Sequence, residues 1–279
     1  MYFRLCLIVS LLAFSGGAWA DRREDAKALF ARAETALDEH KVEAAIADLT
    51  TLIKLDPNYL EDFDDFKFSA YDARARAYER IKDHERAIAD YTAAIILNPE
   101  DLIAYHERAE IHSELGQCAP AIADFDVAIA RDPADYKYSY AKRGLCHLAL
   151  HQFADAASDL AEMRELDPSS AYTVLWLHVA RLRAGSDDRK EFIRNSATLD
   201  RAKWPGPVVD LFSGKRTAEA LRKAATGHAD RECQAIFFIA EYDRAEGRAA
   251  AAEQEMAEGA RICPPGVFQR LSRTEGKGE

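Results

Sequence analysis

The chain has 279 residues, of which 48% are apolar and 30% charged, so it is long enough to bury a sizeable core. Its formal net charge is −11, and no block of lysine or arginine interrupts this acidic composition. Nucleic acid is therefore a poor ligand, because its phosphates require a basic surface, and a soluble protein partner fits better.

The first twenty residues have the order of a secretory signal peptide. Arg4 precedes an apolar run at residues 5–14, and the small residues Ala18 and Ala20 come just before Asp21. The run is shorter than the roughly 20 residues of a membrane-spanning helix. We therefore expect cleavage after Ala20, no integral span in the mature chain, and a periplasmic or secreted protein. A retained signal that anchors the chain is the alternative.

Four sixteen-residue stretches resemble one another, and each ends in a proline that cannot continue a helix. They are residues 42–57, 84–99, 118–133 and 153–168, with prolines 42, 34 and 35 residues apart. In each stretch an apolar stripe recurs at helical spacing. The stripes are Ala45, Leu49 and Leu52; Ala87, Tyr91 and Ala94; Ala121, Phe125 and Ala128; and Ala156, Leu160 and Met163.

A period near 34 residues with a closing proline resembles the tetratricopeptide repeat, a pair of antiparallel helices. The resemblance implies an all-α protein, a right-handed superhelical solenoid of helical hairpins. We expect four repeats at approximately 26–59, 60–101, 102–135 and 136–170. Their first helices carry the large-small pattern of Tyr71, Arg74, Ala75 and Tyr78; Tyr105, Arg108, Ala109 and His112; and Tyr140, Arg143, Gly144 and His147.

The longer separation between the first two prolines places extra acidic residues at 59–68. We interpret them as the lengthened start of a first helix with a solvated face. An acidic docking edge, anchored by Phe63 and Phe66 beside Asp64 and Asp65, is the alternative.

After Pro168 the repeats give way to an irregular helical extension, residues 171–272. An amphipathic helix is expected at 172–184, followed by a partner at 187–199, a rigid corner at 204–207 and a helix capped by Thr217. A repeat-like hairpin is expected within 233–264. Residues 273–279 are expected to be a disordered tail.

Four cysteines remain after the signal peptide, an even number that favours pairing in an exported protein. Cys233 and Cys263 lie at ends of antiparallel helices that should meet, and Cys118 and Cys146 lie on antiparallel neighbours. Two disulfides are therefore predicted, with buried thiols as the alternative.

The sequence contains no phosphate-binding glycine loop and no nucleophile motif, so we predict a protein that is not an enzyme and needs no cofactor. His147 and His151 have a spacing that could present two imidazoles to one metal. They fall at a packing position and at a turn, so no metal site is predicted. An accessory enzyme with an unrecognised site is a further hypothesis.

In a solenoid of this type, first helices line the concave face. The groove therefore passes from mixed charge to an apolar end. Only Lys142 falls on the carboxylate-clamp position of chaperone-binding repeats, so we expect an extended or helical peptide instead. Its apolar side chains would lie at the apolar end of the groove, and Arg76 or Arg80 would bind one of its acidic side chains. The predicted groove residues are Arg76, Arg80, His106, Glu107, Glu110, Tyr138, Lys142, Leu145 and Leu148.

The tail resembles exported bacterial repeat proteins of the NlpI-like type. The matching segments are Trp204-Pro205, VVDLFSGK at 208–215, Cys233 with FFIAEYDRAEG at 237–247, and Cys263-Pro264. The resemblance implies a periplasmic scaffold or adaptor that docks cell-envelope hydrolases or a protease, and it implies a homodimer. No cysteine stands at the cleavage point, so lipid anchoring is not implied. A structural subunit of an envelope or secretion assembly, associating through the Trp204 region, is the alternative.

Overall fold

The computed structural model describes residues 24–55, 63–264 and 266–275, and all regular structure in these ranges is helical. This confirms the all-α prediction. The predicted signal peptide, residues 1–20, lies outside the described ranges. The helices are α1 (24–38), α2 (Val42–Ile53), α3 (Phe63–Arg80), α4 (His84–Leu97), α5 (Leu102–Glu114), α6 (Cys118–Arg131), α7 (Lys137–Ala149), α8 (Phe153–Leu166), α9 (Ala171–Arg183), α10 (Arg189–Asn195), α11 (Gly206–Phe212), α12 (Ala218–Ala225), α13 (Ala229–Ala245), α14 (Ala249–Ile262) and α15 (Val267–Glu275).

The chain divides into two compact units, residues 1–111 and 112–279. In the first unit, the predicted stripes form the core: Leu49 and Leu52 of α2 and Tyr91 of α4 are fully buried. Fully buried alanines lie between these large side chains and let neighbouring helices approach closely. The small-large alternation in the sequence is therefore a packing pattern.

Helix α3 has 18 residues, whereas α5 and α7 have 13 each. This agrees with the interpretation of the acidic insertion as a lengthened first helix. Residues 56–62 lie outside the described ranges, so the alternative of an acidic docking edge remains a hypothesis.

In the second unit, the core is centred on α9. Its residues 173–180 are all buried, so the amphipathic prediction for this helix was wrong. The cause is packing by elements on several sides, since α8, α10 and α11 all contact α9. Trp176 lies 5.3 Å and 5.2 Å, between ring centroids, from Phe237 and Phe238 of α13.

Each of five hairpins turns through one residue with a left-handed backbone, and the residue seventeen positions later in the sequence is a proline. The turn residues, with φ between 59° and 75°, are His40, Lys82, Gly116, His151 and Gly247. The last of these belongs to the α13–α14 hairpin, which therefore keeps the register of the four predicted repeats.

A second regular feature is an arginine that binds an aspartate sixteen residues later in the same hairpin. Arg74 donates to both carboxylate oxygens of Asp90, at 2.7 Å and 2.8 Å, and Arg143 does the same with Asp159. Both aspartates are buried. Such paired donors fix orientation as well as charge, so they hold the two helices of a hairpin in register.

Candidate binding surfaces

The two predicted groove arginines of α3 have different surroundings. Arg80 Nη1 donates to the backbone oxygen of Leu37 at 2.6 Å, so it ties α3 to the end of α1. Arg76 is 55% exposed and its nearest charge is Asp72, with 2.8 Å between Nη2 and Oδ2. Both side chains are exposed, and each guanidinium already has an oxygen partner within the unit.

Helices α3 and α5 bring four charged groups into one electrostatic cluster, which we call the α3–α5 surface: Asp72, Arg76, Glu107 and Glu110. Burial raises the pKa of Glu107, and the neighbouring carboxylates of Glu110 and Asp72 raise it further, while Arg76 opposes them. Burial also raises the pKa of Asp72. The predicted His106 is half-buried on the same helix. The carboxylates of Asp72, Glu107 and Glu110 thus lie close enough to repel one another, so an added cation would be favoured at this surface.

The predicted apolar end of the groove is not an open surface. Leu148 is 4% exposed and belongs to the core of the second unit, so it was wrongly assigned to a peptide site. Leu145 and Lys142 line a cavity of about 160 Å³ whose opposite wall is formed by Val267, Arg270 and Leu271 of α15. The chain's own last helix therefore covers this part of α7.

Helix α15 is held by specific contacts. The Phe268 ring stacks on Trp176 with 5.5 Å between centroids, and Leu271 is 3% exposed. Arg270 Nη1 donates to the backbone oxygen of Glu114 at 2.8 Å. Residues 273–275, predicted as part of a disordered tail, form the last turn of this helix. The tail prediction overlooked a helix that changes the candidate site.

Tyr138 remains exposed, with 56% of its surface accessible. The ammonium of Lys137 lies 5.1 Å from its ring centroid, at a distance typical of a cation–π contact. Tyr138 is thus the member of the predicted aromatic end that could still contact a partner.

The cysteines differ between the two predicted pairs. Cys233 and Cys263 are bonded in the structure, with their Cα atoms 5.6 Å apart. Cys118 and Cys146 are both buried and are not disulfide-bonded. The register brings their side chains into contact as expected, but the structure holds them as thiols rather than as the predicted bond.

His147 and His151 do not face one another across a metal position. His147 Nδ1 lies 2.7 Å from Gln152 Oε1, while His151 occupies the left-handed turn position. In the part of the chain that the structure describes, no group of three or more His, Cys, Asp or Glu is arranged to hold a metal ion. None of the described helices is both long and apolar enough to cross a membrane.

An aromatic cluster near the predicted corner was only partly foreseen. Tyr172 Oη and Trp204 Nε1 both donate to Gln234 Oε1, at 2.8 Å and 2.6 Å. The Arg231 guanidinium lies 5.8 Å from the Trp204 ring centroid. We call these four residues the Trp204 cluster. The sequence drew attention to Trp204 but gave no signal that Tyr172 and Gln234 would meet it.

Comparison with known proteins gives a family match for one repeat. Residues 68–101, which cover α3 from Phe68 onward and all of α4, match the family described as tetratricopeptide repeat. No curated protein matches the sequence.

Solved structures resemble the fold at low sequence identity. A tetratricopeptide repeat protein from Parabacteroides merdae is 15% identical with a TM-score of 0.58, over 90% of this chain and 99% of its own. YrrB, described as a tetratricopeptide-repeat protein with an unusual peptide-binding site, is 16% identical with a TM-score of 0.55, over 72% and 98%. MamA from Desulfovibrio magneticus is 18% identical with a TM-score of 0.51, over 62% and 92%. The chain thus carries a tetratricopeptide repeat at 68–101 and has the helical-hairpin fold of tetratricopeptide-repeat proteins.

Proposed function

We propose that the protein is a non-catalytic periplasmic scaffold that binds a protein partner through a segment bearing lysine or arginine. The observation that carries this proposal is the α3–α5 surface. Its carboxylates lie close to one another, and burial together with their mutual repulsion raises the pKa of Glu107. A cation from a partner would relieve that repulsion and replace the water lost from the carboxylates.

This proposal reverses the sign of the charge that the sequence led us to expect on the ligand. An acidic side chain was expected on Arg76 or Arg80, but Arg80 binds a backbone oxygen and Arg76 already pairs with Asp72. The ligand's cation would instead face Glu107 and Glu110. The peptide-binding site named for YrrB supports a peptide ligand for a fold of this kind, although its position in that protein is its own.

Export is supported by the first twenty residues and by the Cys233–Cys263 bond, because such bonds persist in oxidising compartments. The resemblance of the tail to NlpI-like proteins makes envelope hydrolases or an envelope protease the partners to examine first. A homodimer is part of the same proposal.

The test is affinity capture from a periplasmic extract with mature wild-type protein and two charge-reversal variants. Glu107→Lys alters the α3–α5 surface, whereas Glu85→Lys makes the same change at an exposed site on α4 of the same unit. We expect a partner to be lost with Glu107→Lys, by tenfold or more, and retained with Glu85→Lys. Equal capture by both variants would refute the α3–α5 surface as the site.

The Trp204 cluster supports a second candidate, a structural subunit of an envelope assembly. Tyr172 is 37% exposed and its hydroxyl is fixed by Gln234, and rigid Tyr, Trp and Arg side chains are the ones that dominate interface energies. For this candidate, Tyr172→Ala should disrupt association while Tyr138→Ala, at another exposed tyrosine of the same unit, should not.

A further inference from the structure

Two cysteine thiols lie in contact across neighbouring helices of the second unit. Cys118 is the first residue of α6, and Cys146 is on α7. The two side chains are hydrogen-bonded, and Cys146 Sγ also lies 3.7 Å from Ser113 Oγ. Helices α6 and α7 pack against each other, so the two thiols lie at a helix–helix contact where a disulfide could join them.

The two sulphurs face a cavity rather than a close-packed core. Cys118, Cys146 and Leu145 line the 160 Å³ space beneath α15. This is more than the roughly 15 Å³ that one water needs, so the reacting end of a small molecule can enter once the cover moves.

Arg270 is one of the three α15 residues that line the cavity. Its Nη1 holds the Glu114 backbone oxygen, and its Cδ lies 2.6 Å from where a Cβ on Gly116 would stand. The side chain therefore lies directly over the α5–α6 turn. In this arrangement, the hydrogen bond to Cys146 and burial raise the pKa of Cys118, while Arg270 has the smallest effect and lowers it.

We propose that Cys118 and Cys146 are a site of thiol–disulfide exchange that forms a second intramolecular disulfide, and that α15 limits access of the oxidant to it. The oxidant is an external disulfide. One cysteine thiolate attacks a sulphur of that disulfide and releases one thiol, which leaves a mixed disulfide. The second thiolate attacks the mixed disulfide, forms the Cys118–Cys146 bond and releases the second thiol. Two electrons pass to the external disulfide, and the two cysteine protons end on its thiols.

The bond would join successive hairpins, because α6 and α7 belong to different repeats. The Cys233–Cys263 bond acts within one hairpin instead. Oxidation would thus link α6 to α7 covalently on the side of the cavity that faces α15. This inference concerns covalent stability and does not depend on which partner the α3–α5 surface binds.

The test uses the full mature protein, with its Cys233–Cys263 bond intact and Cys118 and Cys146 reduced, and oxidised glutathione as the probe. Products are trapped by alkylation and identified by non-reducing peptide mapping at timed intervals. We expect a peptide pair linked through Cys118 and Cys146, with two equivalents of glutathione released. Only mixed disulfides, or linkage that forms in urea but never in the folded protein, would overturn the proposal.

Two variants on α15 test the role of the cover. Arg270→Ala removes the side chain over the cavity, and Arg273→Ala removes an exposed arginine from the same helix. We expect Arg270→Ala to speed linkage by threefold or more, with Arg273→Ala at the wild-type rate. Equal rates for all three proteins would show that α15 does not control access.

A glycine pair provides an independent check that keeps the Arg270 charge. Gly116→Ala would displace Arg270, whereas Gly247→Ala carries the same backbone strain, with φ of 73° and 75°, in open space. Faster linkage in Gly116→Ala alone supports the cover. Acceleration in both would mean that loosened turns, rather than Arg270, admit the oxidant.

Discussion

Two hairpins of the second unit, α7–α8 and α13–α14, share a register but are fastened by different chemistry. Both turn through a left-handed residue, His151 or Gly247. Eight residues to either side of His151 stand Arg143 and Asp159, which form a buried ion pair. The corresponding positions in α13–α14 are Ile239, which is 1% exposed, and Glu255, whose cation is Arg222 from the separate helix α12.

The ends of the same two hairpins differ in the opposite sense. Cys233 and Cys263 close α13–α14 covalently. At the matching positions of α7–α8 stand Lys137 and Asp167, and Lys137 contributes to lowering the pKa of that aspartate. The same hairpin register can thus be stabilised by a buried ion pair in the middle of the helices or by a disulfide bond at their ends. The repeat determines the backbone geometry, and local side chains determine which interaction stabilises it.

Loss of the buried Arg143–Asp159 ion pair of α7–α8 should give the largest effect on stability. Asp159→Ala leaves the Arg143 guanidinium with only the more exposed Asp126, so we expect a loss of about 3–5 kcal/mol in the free energy of unfolding. Chemical denaturation measures it. Asp126→Ala, which removes the 55% exposed partner, should cost less than about 1 kcal/mol. Equal losses for the two variants would show that the buried pair stabilises the hairpin no more than the exposed pair does.

Loss of the Cys233–Cys263 disulfide of α13–α14 should give the next largest effect on stability. Replacing both Cys233 and Cys263 by alanine should lower the free energy of unfolding by about 2–4 kcal/mol, because the bond restricts the unfolded chain. Reduced wild-type protein should then unfold at nearly the same denaturant concentration as the variant. If oxidised and reduced wild type unfold together, the bond adds no stability.

The attraction between Lys137 and Asp167, at the matching positions of α7–α8, should contribute little to stability. Lys137→Ala should change the free energy of unfolding by less than about 1 kcal/mol, since its attraction to Asp167 acts through solvent. Any difference from wild type should vanish in 1 M salt, where charges are screened beyond about 3 Å. A loss that survives high salt would mean that the lysine stem packs rather than attracts.

The smallest effect should come from Glu255 and should depend on pH. Burial raises its pKa above the usual value of 4.5, and Arg222 opposes that shift. The folded protein therefore binds the proton more tightly than the unfolded chain, and Glu255 stabilises most below pH 4.5. As the pH rises through the folded pKa, wild type should lose stability relative to Glu255→Gln. Thermal melts of both proteins at pH 4 and pH 7 measure this. A stability of wild type relative to Glu255→Gln that does not fall between pH 4 and pH 7 would contradict it.

The sequence was sufficient to predict the hairpins and their cores. Large and small residues that recur at a fixed period lie on one helix face, and their sizes must fit the neighbouring helix. Leu49, Tyr91 and Leu160 were assigned to the core from spacing alone and are buried. The arginine–aspartate pairs were missed although their constant separation of sixteen residues was visible. Arg74 and Arg143 were assigned to the large-small packing pattern of the first helices, and that pattern does not say which side chain neutralises their charge.

The candidate site was harder to predict because it depends on a contact between distant segments. Helix α15 has nine residues and only three apolar ones, Val267, Phe268 and Leu271, so its local signal is weak. What decides its position is the space left by α7, α13 and α14, which no local pattern contains. The same reason applies to α9, which is enclosed by helices on both sides of it in the chain, α8 before it and α10 and α11 after it.

The most direct test of the proposed function is site-specific photo-crosslinking in the periplasm. A photoreactive phenylalanine analogue would replace Glu110, Tyr138 or Tyr172 in turn, and adducts would be identified by mass spectrometry. A partner that crosslinks from position 110, and from neither of the other two, is the result that the α3–α5 surface predicts. Crosslinks from position 172 with none from position 110 would contradict it and place the interface at the Trp204 cluster.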